Sequence, residues 1–541
     1  MGKIASNFNM KIFILLFCFI AIATAQEPKE KIWRSLTGKY YRPGYWWTIE
    51  WSIEKHFPGS KNTIEALCEG WKVVHPGEEI KTTTLSASYP IQSSMPSLSI
   101  HLLKKGQQKQ ILAQEYLHLS PLQPSDIFCG FYKSNTIEKA FRSCLQTLPF
   151  AFYLQPIDFL PGLMEALQPF HLIVLGNEET LPSQEQALMN WVKAGGVLWI
   201  PREKLNQSAT FRKFLVTLEK QTWNRIEIWQ AGWGTILSVP IDYESDQDLL
   251  VAFLRSIMPF WKKQLSPKRD YTQNHPLQDI SPSPQWGKPI LFSLWAICAV
   301  HAFLFSLVLK NKKYPSQKKY LLLLFIVLFF SGSIFGVFFS YMPVSHYTLS
   351  VLQAISGENI AIEHNYIKIS SLNRSTKRLF FPALPMPVLP FGKCIEIARH
   401  RDGWQILVED ASIFLYTQSI VSFPGFFQWE KEQNSLYFYN QTKTKLENLV
   451  YLEQGFYQSL EKKDTDSFPY CPVSFWNTSQ MPPFWQENRL LFWLREIFPT
   501  PFITAHKEPS SNNTNHFAFR AQKCLVCIFQ NTKNTPKKSD Q

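Results

Sequence analysis

The sequence predicts a multidomain chain: a β-sandwich, a three-layer α/β domain on a parallel sheet, a two-helix transmembrane hairpin and a C-terminal β-rich domain. Three observations carry that class. Residues 26–122 hold short alternating apolar runs, and residues 123–265 alternate strand-like with helix-like runs. Two stretches without Asp, Glu, Lys or Arg, of 21 and 23 residues, then flank a lysine-rich loop. Among 541 residues 45% are hydrophobic and 18% charged, with 43 Phe, 20 Tyr and 18 Trp, so the chain can bury enough surface to offset its ordering entropy and is not disordered. Nine scattered Cys are too few for a disulfide scaffold.

Residues 1–25 read as a secretory signal: Lys3 and Lys11, the apolar run Ile12 to Ile22, then Ala23-Thr24-Ala25. The sequence after it is therefore expected to be exported. The stretches 289–309 and 320–342 each reach the roughly 20 apolar residues that a bilayer-spanning helix needs. The loop 310–319 between them carries five Lys, and short basic loops stay cytoplasmic. Both signals give one topology, with 26–288 and 343–541 outside, and they predict the lipid bilayer as a partner. Gly332 and Gly336 form a GxxxG that would pack the hairpin against Ala299, Ala302 and Ser306. His301, without an acidic partner in either span, reads as a neutral His bonded to a carbonyl. Five of the charges behind the net +13 sit in the loop, so the basic balance points to topology and no nucleic-acid partner is expected.

In 26–122, Trp47, Ile49, Trp51 and Ile53 alternate with Trp46, Thr48, Glu50 and Ser52, the period of a half-buried strand. Thr82 to Tyr89, Leu98 to Leu103 and Gln110 to Leu117 read as further strands of an antiparallel sandwich. From about Ser125, strands at Ile127 to Phe131, Ala151 to Gln155, His171 to Gly176 and Val197 to Ile200 are separated by helical runs, which predicts a parallel sheet with helices on both sides. The helix at Pro182 is the best marked: Pro suits its first turn, Ala187, Leu188, Trp191 and Val192 share a face, and Gly195-Gly196 stops it.

The block Leu172-Ile-Val-Leu-Gly-Asn177 with Leu181 to Leu198 resembles the class I glutamine amidotransferase-like domain. More narrowly, residues 35–260 are similar to uncharacterised bacterial membrane proteins that carry such a domain outside a transmembrane segment, and Gly38-Lys-Tyr-Tyr-Arg-Pro-Gly44 resembles the sandwich preceding it there. The resemblance implies a Cys nucleophile on a strand-to-helix turn and a later His as its base. The equivalent turn here reads Pro201-Arg202-Glu203-Lys204, no Cys lies between Cys144 and Cys298, and no His lies between His171 and His275. The position of the later His is taken by Pro240-Ile-Asp242-Tyr243. The fold is thus implied without its chemistry.

Asp158, Glu178, Glu179, Glu203 and Asp242 fall near predicted strand ends, where open α/β sheets bind ligands, although solvated carboxylates are common there too. Residues 266–288, with Pro267, Pro276, Pro282 and Pro284, read as a stiff linker. In 343–541, strands are expected at Asn359 to Ile369, Lys393 to Ala398, Trp404 to Glu409, Ser412 to Tyr416 and Ser435 to Tyr439, with helical turns near Trp485 to Ile497. Cys524-Leu-Val-Cys527 is a lone CxxC, read as a local disulfide or as bridges to Cys394 or Cys471. No catalytic, metal or cofactor residue is predicted.

These readings favour a noncatalytic binding or scaffold module on a bacterial inner membrane, with periplasmic bodies and other envelope or membrane proteins as partners. The favoured reading expects no cluster of buried titratable groups at the carboxyl ends of the parallel sheet. The alternatives are a hydrolase of unrecognised type on the α/β domain, which calls for such a cluster, and glycan or peptidoglycan recognition by the sandwich of residues 26–122, which calls for a row of exposed Trp or Tyr lining a groove.

Overall fold

Five short apolar runs form the centre of the α/β body. In the computed structural model they are the strands Phe152–Ile157, Ile127–Tyr132, Leu172–Leu175, Val197–Pro201 and Gly234–Val239, side by side in that order and all parallel. Ile226–Ala231 and Lys220–Trp223 extend the sheet antiparallel. Ile173, Leu198 and Ile200 face a core with Leu188, Trp191, Val192 and Phe211. Leu172, Val174 and Trp199 face a second core with Ile137 and Phe141 on the other side. Strands covered on both faces read as continuous apolar runs, as Leu172–Leu175 and Val197–Pro201 do. The 12-residue helix Pro182–Lys193 stops at Gly195, whose φ of 109° suits glycine. A Cβ on Gly234 would lie 2.1 Å from the Val192 carbonyl oxygen, so only glycine lets that strand start against the helix end.

The structure describes, save single positions, residues 33–52, 62–68, 71–76, 84–91, 97–104, 110–134, 137–142, 152–240 and, with short gaps, 344–530, plus isolated positions between 252 and 325. The signal segment 1–25, the basic loop 310–319, Gly332, Gly336, His301 and Asp242 lie outside the described residues.

The rest of the described chain is β. Trp33–Ser35, Tyr45–Ser52 and Thr84–Ile91 make a three-stranded antiparallel sheet. The strand Tyr45–Ser52 is not half-buried: Trp46 and Thr48, on its expected polar side, are as buried as Trp47 and Ile49, and Trp46, Trp47 and Ile49 share one core with strands of the C-terminal region. A seven-stranded sheet joins Asn62–Cys68, Trp71–Pro76, Ser97–Lys104 and Gln110–His118 to Lys377–Phe381, Ile395–His400 and Gly403–Val408. Its seam is a parallel ladder that pairs Trp71 with Ile395 and Val74 with Ala398. A nine-stranded sheet centres on Val344–Ile355, parallel to Phe519–Gln530 over twelve residues and antiparallel to Ile360–Ser370. One core holds Tyr41, Trp46, Trp47 and Ile49 together with Leu349, Val351, Trp485, Leu494 and Val526. Regions on either side of residues 278–343 therefore fold against each other, and Leu277 is buried in the same core.

This corrects the predicted fold class. Described regular structure is mostly strand, helices are few, and among the described residues no helix is long and apolar enough to cross a membrane. The longest described helix has 12 residues, against the roughly 20 a span requires. The two-helix transmembrane hairpin is not supported. The transmembrane assignment and the inner-membrane location with two periplasmic bodies rested on it and are withdrawn with it. The stretches 289–309 and 320–342 lie outside the described residues except for isolated positions such as Val300 and Phe325.

Candidate functional site

The carboxyl ends of the parallel strands are where an α/β sheet offers a site, because chain turns there leave backbone groups and side chains converging on a crevice. Three turns meet at this edge. Lys133, at φ 53°, ends Ile127–Tyr132; Gly176 to Glu178 follow Leu172–Leu175; and the helix Arg202–Gln207 begins directly after Val197–Pro201. A Cβ on Gly176 would sit 2.1 Å from the Lys133 carbonyl oxygen, so the first two turns are in direct backbone contact.

Lys204 points back from its helix into this junction and is 5% exposed. Its Nζ donates to the Gly176 carbonyl at 3.3 Å and to the Glu178 carbonyl, and lies over the Tyr132 ring at 5.9 Å. Burial lowers its pKa to about 8, with Glu185 and Glu178 opposing the shift. Glu185 is 6% exposed in the first turn of Pro182–Lys193, where the helix dipole favours an acid. It accepts from Thr180 Oγ1 and from Ser208 Oγ, each at 2.8 Å. Ser208 also caps the next helix, accepting from the Phe211 amide at 3.1 Å. Both carboxylate oxygens of Glu185 are thus engaged, and the Lys204 ammonium is spent on backbone carbonyls.

At the outer rim, Arg34 reaches Glu50 at 3.0 Å, and burial, followed by neighbouring Asp158, pushes against the ionised Glu50. Burial, then Glu178 and Glu50, raises the Tyr132 phenol. Of the carboxylates singled out from the sequence, Asp158, Glu178, Glu179 and Glu203 are exposed; Glu178 meets Lys204 through its backbone carbonyl, while its carboxylate approaches the exposed Lys133 at 3.9 Å. The buried titratable residues, Lys204 and Glu185, were passed over. The available signal was a Lys on the turn after an apolar strand and an acid in a helix first turn.

Replacing Lys204 with Met leaves two carbonyls without their donor and is expected to cost about 1–3 kcal/mol in urea unfolding at neutral pH. The native lysine releases its proton near pH 8, whereas the unfolded chain holds it until near 10.5. Below pH 8 both states carry the charge and its burial cost is fully present. This group's contribution to stability therefore rises with pH between 8 and 10.5, and Lys204→Met is expected to abolish that rise.

Two other chemistry-bearing residues are interior. Cys129 is buried mid-strand and burial drives its thiol pKa up. His364 is fully buried, with Nε2 facing the Gln353 Oε1 at 3.0 Å and Nδ1 the Tyr416 hydroxyl at 2.8 Å. Because the Gln353 carbonyl only accepts, the proton sits on Nε2, and Nδ1 accepts from Tyr416. Gln418 lies 3.5 Å from that hydroxyl and accepts from Gln168 of the α/β body at 2.9 Å. Cys524 and Cys527 belong to one strand, where α-carbons three residues apart are about 10 Å distant, beyond a disulfide's reach, so the local-disulfide reading fails. Cys471 is free and exposed. Among the described residues no group of three or more His, Cys, Asp or Glu is placed to hold a metal.

No protein family matches the chain, and no curated protein matches it.

Proposed function

We propose that the chain is a noncatalytic binding or scaffold protein whose amidotransferase-like α/β body lacks the Cys/His machinery of that class. One observation carries the reading: at the turn where such an enzyme places its nucleophile, the nearest buried reactive group is Lys204, whose amine is committed to two carbonyls of the adjoining loop. The hydrolase reading calls for buried titratable groups at this edge, and Lys204 and Glu185 are such groups. Their partners argue for a clasp instead, since two hydroxyls satisfy Glu185 and the lysine ties its own turn to the Gly176–Glu178 turn. A rigid edge of this kind presents a fixed surface.

The test is chemical. The full chain is incubated with glutamine, with a diazo-ketone glutamine analogue and with a fluorophosphonate, and is then read for ammonia release and by peptide mass spectrometry. Neither ammonia nor an adduct is expected. A stoichiometric adduct on any residue from 176 to 208 would establish a reactive centre and refute the reading.

A further inference from the structure

The strands Phe427–Glu432, Ser435–Asn440 and Ser467–Pro469 form a separate three-stranded antiparallel sheet. One face is core: Phe427, Trp429 and Leu436 pack with Tyr451 and Leu460. The other face carries two exposed tyrosines two residues apart, Tyr437 at 42% and Tyr439 at 47% exposure. Period-two alternation puts both rings on the same side, about 6.7 Å apart along the strand. Directly across the ladder, Gln428 opposes Tyr439 and Glu430 opposes Tyr437. The Gln428 amide donates to the Glu430 carboxylate at 3.2 Å, and the Gln441 amide donates to the Tyr439 hydroxyl.

From this face we infer a carbohydrate-binding site, with an extended oligosaccharide laid along Ser435–Asn440. Phenol rings offer flat apolar surface with little conformational entropy to lose, suited to the C–H-bearing face of a pyranose. Amide and carboxylate groups in the plane beside them pair with sugar hydroxyls, the few placed polar groups that fix a ligand's orientation. A protein partner fits less well. The face measures about 10 Å by 20 Å from strand spacing and rise, against the roughly 800 Å² per partner of a stable protein interface. The inference rests on the reading of this chain as a binding module and names its ligand class.

Isothermal titration of the full chain with cellohexaose and with chitohexaose is expected to give a dissociation constant of about 1 mM or tighter for at least one of them. The double variant Tyr437→Ala/Tyr439→Ala is expected to weaken it at least ten-fold with an unchanged circular dichroism spectrum. Failure of the native chain to bind either sugar, or undiminished binding by the folded double variant, overturns the inference. If the double variant loses its strand signal, the single variants decide: weakening by either supports the site, and native affinity in both overturns it. These outcomes are independent of adduct formation at residues 176–208, so failure here is distinguishable from failure of the noncatalytic reading.

Discussion

Trp47→Ala is expected to lose about 3–5 kcal/mol of unfolding free energy, the cost of emptying a large buried aromatic site. Trp47 is 1% exposed and its indole N–H donates to the Gly38 carbonyl at 3.3 Å, closing the turn in front of its own strand. Its place in the molecule makes the loss larger than local. The core that receives it also contains Leu349, Val351 and Val526 from the nine-stranded sheet, so a hole here weakens two sheets at once. Urea titration by tryptophan fluorescence checks the magnitude. A change below about 1 kcal/mol would mean that the site is peripheral.

The second large effect is expected in acid. The unfolded chain protonates His364 near pH 6.5, but in the folded protein burial holds its pKa down to about 3. Above 6.5 both states are neutral and the stability is intact. As pH falls from 6.5 towards 3 the unfolded state binds a proton that the native state refuses, and stability drops by up to about 1.4 kcal/mol per pH unit from this group. Gln353, Tyr416 and, edge-on at 5.4 Å, Phe498 face the ring, and these three offer no negative charge to hold an imidazolium. His364→Gln is expected to be less stable at pH 7, having lost a fitted buried hydrogen-bond pair, and to show a shallower decline between pH 6.5 and 4. Parallel chevron-free equilibrium titrations at four pH values measure both. An identical decline in native and variant proteins would assign acid lability elsewhere.

How far the sequence reaches depends on the distance over which its signals act. The helix Pro182–Lys193 is legible because its start, apolar face and stop all lie within fifteen residues. The strands Leu172–Leu175 and Val197–Pro201 are legible because a strand covered on both faces leaves an unbroken apolar run. The parallel pairing of Val344–Ile355 with Phe519–Gln530, and of Trp71–Pro76 with Ile395–His400, leaves no local trace, since periodicity records which side of a strand is dry and not which strand lies beside it. For the same reason Tyr45–Ser52 reads as half-buried although both sides are covered. The charge-free stretches record avoidance of water and do not by themselves establish twenty residues of continuous helix. At the candidate site, exposed carboxylates such as Asp158 and Glu203 attract notice by residue type, whereas Lys204 and Glu185 matter through burial, which only the three converging turns create.

Residues before position 122 and after position 344 share one β core. Hydrogen exchange read by mass spectrometry on the native chain and on Trp47→Ala tests it directly. A shared core gives faster exchange in Trp47→Ala both in the strands near the substitution and in Val344–Ile355 and Phe519–Gln530. Loss of protection confined to residues 33–122, with the two C-terminal strands exchanging as in the native chain, would contradict it.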